Sequence, residues 1–205
     1  MKKVTLFLTL LFVNSFYSQK IDYNNFDSDL ASKALFNEMN KFRDTITLTG
    51  YGAKRDSIFP ELVENPRLKK LVWSDDVYST FSKPNCLENV NQNRLFHVDI
   101  TEWWNIKENR IKFLDDVFIK SKENPNTQIN YSEIGAYTTE AFETYEELAM
   151  GLIMVWEQSY KHKCIQRTGL YSQFHMKLGY VVQTASACYV HYGNGKTWAF
   201  FNFVY

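Results

Sequence analysis

The sequence predicts an α+β domain, and three observations carry that expectation. Helical periodicity dominates the first half of the chain. A long helix then runs from Thr144 towards His162. After it the pattern changes to short alternating runs at Leu178–Gln183, Cys188–Tyr192 and Thr197–Tyr205. Helices followed by three terminal strands suit an α-β-α sandwich, with helices covering both faces of a sheet. The chain has 205 residues, which points to one domain, and 45% are hydrophobic, enough to bury a core. The formal net charge is zero, so the chain lacks the basic excess that a nucleic-acid partner requires.

The N-terminus has the form of a secretory signal. Met1-Lys2-Lys3 is positive, Val4–Val13 is apolar but too short to span a bilayer, and Asn14–Ser18 suits a cleavage region. Gln19 is then the expected mature start. Removing residues 1–18 takes two lysines from 23 basic residues and leaves 21 against 23 acids, a net of −2. Export to the periplasm or the medium is expected, of bacterial style, with no lipoprotein cysteine and no later membrane-spanning stretch.

Residues 19–29 are polar and predict an arm. Leu30–Arg43 predicts a helix, with Ala31, Leu35, Met39 and Phe42 at helical spacing and Asp27 or Ser28 as its cap. Residues 44–70 are mixed and punctuated by Gly50, Gly52 and Pro60, as an insertion would be. Ser74 suits an N-cap, Trp73 suits packing, and Pro84 breaks or starts a helix. Trp103 and Trp104 either wall a cleft or pack. Ile111–Ile119 predicts a short helix, and Ser121–Asn130 a loop.

Thr144 and Glu147 have capping-box spacing. In the helix they open, Leu148, Leu152, Val155 and Ser159 fall on one expected packing face. His162 follows, and is expected just past the helix end. Near the C-terminus, Gly193-Asn194-Gly195-Lys196 is a hairpin signal. In an exported protein Cys86, Cys164 and Cys188 allow one disulfide in three pairings. Cys164–Cys188 is the expected pair, because it would tie the loop after His162 to the sheet. Three buried free thiols are the alternative.

An ordered set of residues resembles the CAP superfamily, also called the SCP domain, in its bacterial secreted form. Trp156-x-x-Ser159-x-x-His162 resembles the end of the family's long helix, with Tyr160 where a proline is common. Leu71-Val72-Trp73 resembles the entry to its second helix. His97 matches the histidine that follows that helix. Tyr131-Ser132-Glu133-Ile134-Gly135-Ala136 resembles a motif with Tyr, Glu and Ala at three of those places, and Gly179 matches a strand start. The resemblance covers most of residues 30–205. It implies a three-layer α-β-α sandwich with a central cleft lined by His97, Glu133, Ser159 and His162.

The family's cleft carries two histidines and two glutamates, and Ser159 stands at the second glutamate's place in eukaryotic members. The resemblance therefore implies a weakened Zn²⁺ site of His97, His162 and Glu133. Glu157 lies about 200° around the helix from Ser159, and Asp99 is another candidate carboxylate. Three functions follow as expectations. The first is a non-catalytic module binding a small molecule, lipid, metal or protein. The second is a hydrolase using zinc-bound water or a Ser159–His162–Glu133 set. The third is a structural or interaction protein with no cleft chemistry.

Overall fold

A computed structural model describes residues 19–45, 70–106, 108–109, 131–166 and 184–204. The proposed signal, most of the expected insertion, Ile111–Ile119, Ser121–Asn130, the strand-like Leu178–Gln183 and Gly179 all lie outside the described residues. So does the side chain of Cys164.

The described elements are α1 (Ser28–Thr45), β1 (Val72–Trp73), α2 (Asp75–Val77), a π turn (Tyr78–Ser82), α3 (Lys83–Gln92), α4 (Thr101–Asn105), β2 (Tyr131–Thr138), α5 (Tyr145–Glu157), α6 (Tyr160–Gln166), β3 (Ala185–Gly193) and β4 (Lys196–Val204). The fold is α+β. The four strands form one mixed sheet in the order β1-β3-β4-β2. β1 pairs parallel with β3, and β4 pairs antiparallel with both β3 and β2.

Local signals set the element ends. Leu30 N–H donates to Asp27 Oδ1 at 2.8 Å, so Asp27 starts α1. Ser74 Oγ accepts from Val77 N–H at 3.1 Å and starts α2. Thr144 Oγ1 accepts from Glu147 N–H at 3.2 Å. The reciprocal half of the box is displaced by one residue, since the Glu147 carboxylate accepts from Glu143 N–H at 3.2 Å. β3 and β4 turn through Asn194 and Gly195, whose φ values of 56° and 71° form a two-residue hairpin loop.

The expected arm is strapped down. Ile21 N–H donates to Glu143 O at 2.9 Å, Phe142 N–H to the Tyr23 hydroxyl at 2.9 Å, and Asp27 N–H to the Tyr145 hydroxyl at 3.0 Å.

Strand alternation sends side chains to two buried faces. Ile134, Ala136, Cys188, Val190, Ala199, Phe201 and Phe203 meet Leu35 and Met39 of α1 and Leu148, Leu152 and Trp156 of α5. On the other face, Ala185, Ala187 and Val204 meet Val77 and Phe81. Beside them Tyr189, Trp198 and Phe200 meet Cys86 and Val90 of α3. Full burial of each large apolar side chain contributes about 1.5–3 kcal/mol. Gly135 pairs with Phe200 across β2 and β4, and a β-carbon there would lie 2.7 Å from the Phe200 ring. The glycine is what lets that ring lie flat against β2.

Three expectations are corrected. Val155 is 41% exposed. The buried face of α5 is Tyr145, Leu148, Ala149, Leu152, Ile153 and Trp156. At about 100° per residue that arc is wider than the expected stripe and rotated away from Val155. His162 does not lie just past α5. It sits within α6, after a break at Ser159, whose N–H donates to Trp156 O at 3.1 Å and whose carbonyl accepts from Lys163 N–H at 2.8 Å.

The Cys164–Cys188 bridge is not formed. Cys188 is a buried free thiol, because alternation along β3 turns it under α1, where its thiol donates to Ser32 O at 3.1 Å. Cys86 is also free and buried. Burial pushes both thiols well above the ordinary range.

Candidate functional site

The centre of the site is a buried carboxylate. Glu133 lies on β2, directly opposite Asn202 of β4, and is 8% exposed. A charge so placed is costly unless hydrogen bonds replace its water. Four donors do so. Glu133 Oε2 accepts from Asn85 Nδ2 at 2.5 Å, the Tyr131 hydroxyl at 2.9 Å and Asn202 Nδ2 at 2.8 Å. Oε1 meets His97 Nδ1 at 2.8 Å.

Three donors meet Oε2, which therefore serves as an acceptor. The bond to Oε1 raises the affinity of His97 for its proton, which assigns Nδ1–H as the donor and Oε1 as the acceptor. Nε2 is left as the free nitrogen of the ring. The bond to Glu133 holds the His97 pKa above the ordinary value, against an opposing effect of burial. Burial and the Glu133 charge push the Tyr131 phenol far above its ordinary range, so that hydroxyl stays neutral and donates.

The elements around Glu133 explain how the donors arrive. Tyr131 and Glu133 are two apart on a strand and share a face. Asn85 comes from α3, which follows the π turn. There Lys83 N–H donates to Tyr78 O, and Pro84 has no N–H to offer the ladder. One turn further on, Asn89 Nδ2 donates to Asn85 O at 2.9 Å. Asn89 Oδ1 accepts from Phe96 N–H at 2.7 Å, and its carbonyl from Arg94 N–H at 3.1 Å. Asn93, at φ 49°, ends α3 in the left-handed conformation. The chain is thereby returned to deliver His97 to Glu133.

His162 enters from α6. Its pKa is lowered, by burial first and by the nearby charge of His97 second. α6 is tied to the core through Gln166, whose Nε2 donates to Ile153 O at 3.2 Å and whose carbonyl accepts from Arg43 Nη1 at 2.5 Å. Trp103 and Trp104 brace the other side. Phe81 meets the Trp103 ring edge-on at 5.1 Å and Tyr131 at 4.7 Å, and Trp104 lies 5.6 Å from Tyr131. Trp73 packs edge-on against Phe36 at 5.1 Å, as expected.

Among the expected site residues, the structure bonds Glu133 to His97 and places His162 within electrostatic reach of His97. It does not bond Glu133 to His162, so the Ser159–His162–Glu133 relay is not assembled. No group of three His, Cys, Asp or Glu among the described residues is arranged to hold a metal, and both oxygens of Glu133 meet protein donors. Asp99 Oδ1 accepts from Thr101 N–H at 2.9 Å.

Asn85 and Asn202 join the site without having been expected there. The available signals are Asn85 and Asn89 at i, i+4 on one helix and Asn202 as a lone polar residue within Phe200–Val204. The chain matches no protein-family model, no curated protein and no solved structure.

Proposed function

We propose that the protein is a secreted, non-catalytic binding module of CAP/SCP type, with the three-layer sandwich that this resemblance implies. Its cleft takes a small organic molecule or lipid at the free Nε2 of His97 and at His162. The observation that carries this reading is the four-donor anchorage of Glu133. That anchorage holds His97 Nδ1 against a buried carboxylate and favours a supporting role for Glu133. The hydrolase alternative would place the carboxylate behind His162, whereas the histidine bonded to Glu133 is His97. The neutral formal charge speaks against a nucleic-acid partner, and no described helix is long and apolar enough to cross a membrane.

The test is native mass spectrometry of the full-length gene product recovered from its own host's medium, beside a His97→Ala/His162→Ala variant. The reading predicts a retained small molecule on the wild type that is lost from a variant with unchanged circular dichroism. Equal retention by both, or by neither, overturns it.

A further inference from the structure

We propose that Gln19 is the docked N-terminus of the mature protein and closes to pyroglutamate, a modification that rests on the secretion reading above. Two observations meet at this residue. The signal-like segment ends at Ser18, which makes Gln19 the residue that cleavage would expose. The structure then shows what Gln19 does. Its carbonyl accepts from the backbone N–H of Tyr145, the first residue of α5, at 3.4 Å. Lys20 pairs with Thr144, the N-cap of that helix, and Ile21 N–H donates to Glu143 O at 2.9 Å.

The first turn of any helix has N–H groups without intrahelical partners, and Gln19 supplies an acceptor for one of them. Cleavage one residue later would remove that acceptor. The Gln19 carbonyl is held while the residue itself is exposed to solvent.

The chemistry is intramolecular. The freed α-amine attacks the side-chain amide carbon, a five-membered lactam forms, and ammonia leaves with the proton balance closed. No oxidant or second substrate is needed. The backbone carbonyl that accepts from Tyr145 is untouched. The terminal ammonium is replaced by a neutral lactam beside the N-terminus of α5, where the helix dipole is positive. Glu143, Glu146 and Glu147 and the Lys20 ammonium are the other charged groups on these segments.

The experiment is peptide mass spectrometry of the N-terminal fragment of the protein recovered from the host medium, with a Gln19→Ala variant alongside. The expected wild-type fragment starts at residue 19, is lighter by one ammonia, and becomes sequenceable only after pyroglutamyl aminopeptidase. The fragment from the Gln19→Ala variant shows no such loss. A wild-type fragment starting at Gln19 with a free amine overturns the modification and leaves the secretion reading standing. A fragment starting elsewhere overturns the assignment of the terminus. A protein found only with residues 1–18 attached overturns this inference and the secretion reading together.

Discussion

Asn202 faces Glu133 across the β2–β4 pair, and its Nδ2 reaches both Glu133 Oε2 at 2.8 Å and the Tyr131 hydroxyl at 2.6 Å. One amide therefore supports the carboxylate directly and also holds the phenol that supports it. Replacing Asn202 by Leu removes that donor from a buried charge. The expected cost is about 1–3 kcal/mol, the range for leaving a buried acceptor under-satisfied. Urea unfolding of the variant checks this, and an unchanged midpoint would show that the network does not depend on β4.

The two histidines should titrate on opposite sides of the ordinary value of 6.5. His97 lies above it through its bond to Glu133, and His162 below it through burial and the His97 charge. Because the folded pKa of His97 is raised, its stabilising contribution is fully present below the unfolded value. That contribution is lost as pH rises through the folded value. For His162 the folded pKa is lowered, so protonation opposes folding and stability falls as pH drops below the unfolded value. In Glu133→Gln the His97 titration should move down, and in His97→Ala that of His162 should move up. Ring-proton NMR titrations read both shifts, and a His162 curve indifferent to His97→Ala would separate the two rings.

Gly135→Ala should destabilise the sheet by about 1–3 kcal/mol, the usual range for overpacking. The added carbon would sit 2.7 Å from the Phe200 ring. That ring is fully buried and packs with Cys86 and Val90 of α3. Thermal unfolding measures the effect, and a second change of Phe200 to Leu should restore part of the loss.

Cys86 and Cys188 should resist thiol reagents in the native protein and react on unfolding without prior reduction. Both are buried and free, with raised thiol pKa values. Thiol counts taken with and without denaturant test this. A count that rose only after a reductant was added would show that the thiols had been paired.

What is legible in the sequence is mostly local. Asp27, Ser74 and Thr144 announce helix starts by their side-chain chemistry, and Asn194-Gly195 announces the hairpin. Each of these acts over four residues or fewer. β2 does not announce itself as a strand, since Glu133 and Gly135 are poor strand formers and the segment is held by its pairing with β4 far along the chain. The role of Asn85 depends on a π turn, which no periodicity signals. The disulfide expectation places Cys188 in the sheet without assigning its face, and alternation puts it beneath α1. His97 and Glu133 emerge from resemblance and order, but their mutual bond depends on Asn89 pulling the Phe96 segment back.

The central claim is that Glu133 fixes the His97 ring with Nδ1 protonated and Nε2 free. Long-range ¹⁵N–¹H NMR of the imidazoles, recorded above the His97 pKa, tests it most directly. The account predicts the Nδ1–H tautomer for neutral His97 in the wild type and loss of that preference in Glu133→Gln. A wild-type His97 in the Nε2–H tautomer would contradict it, because Glu133 would then not be the acceptor that holds the ring.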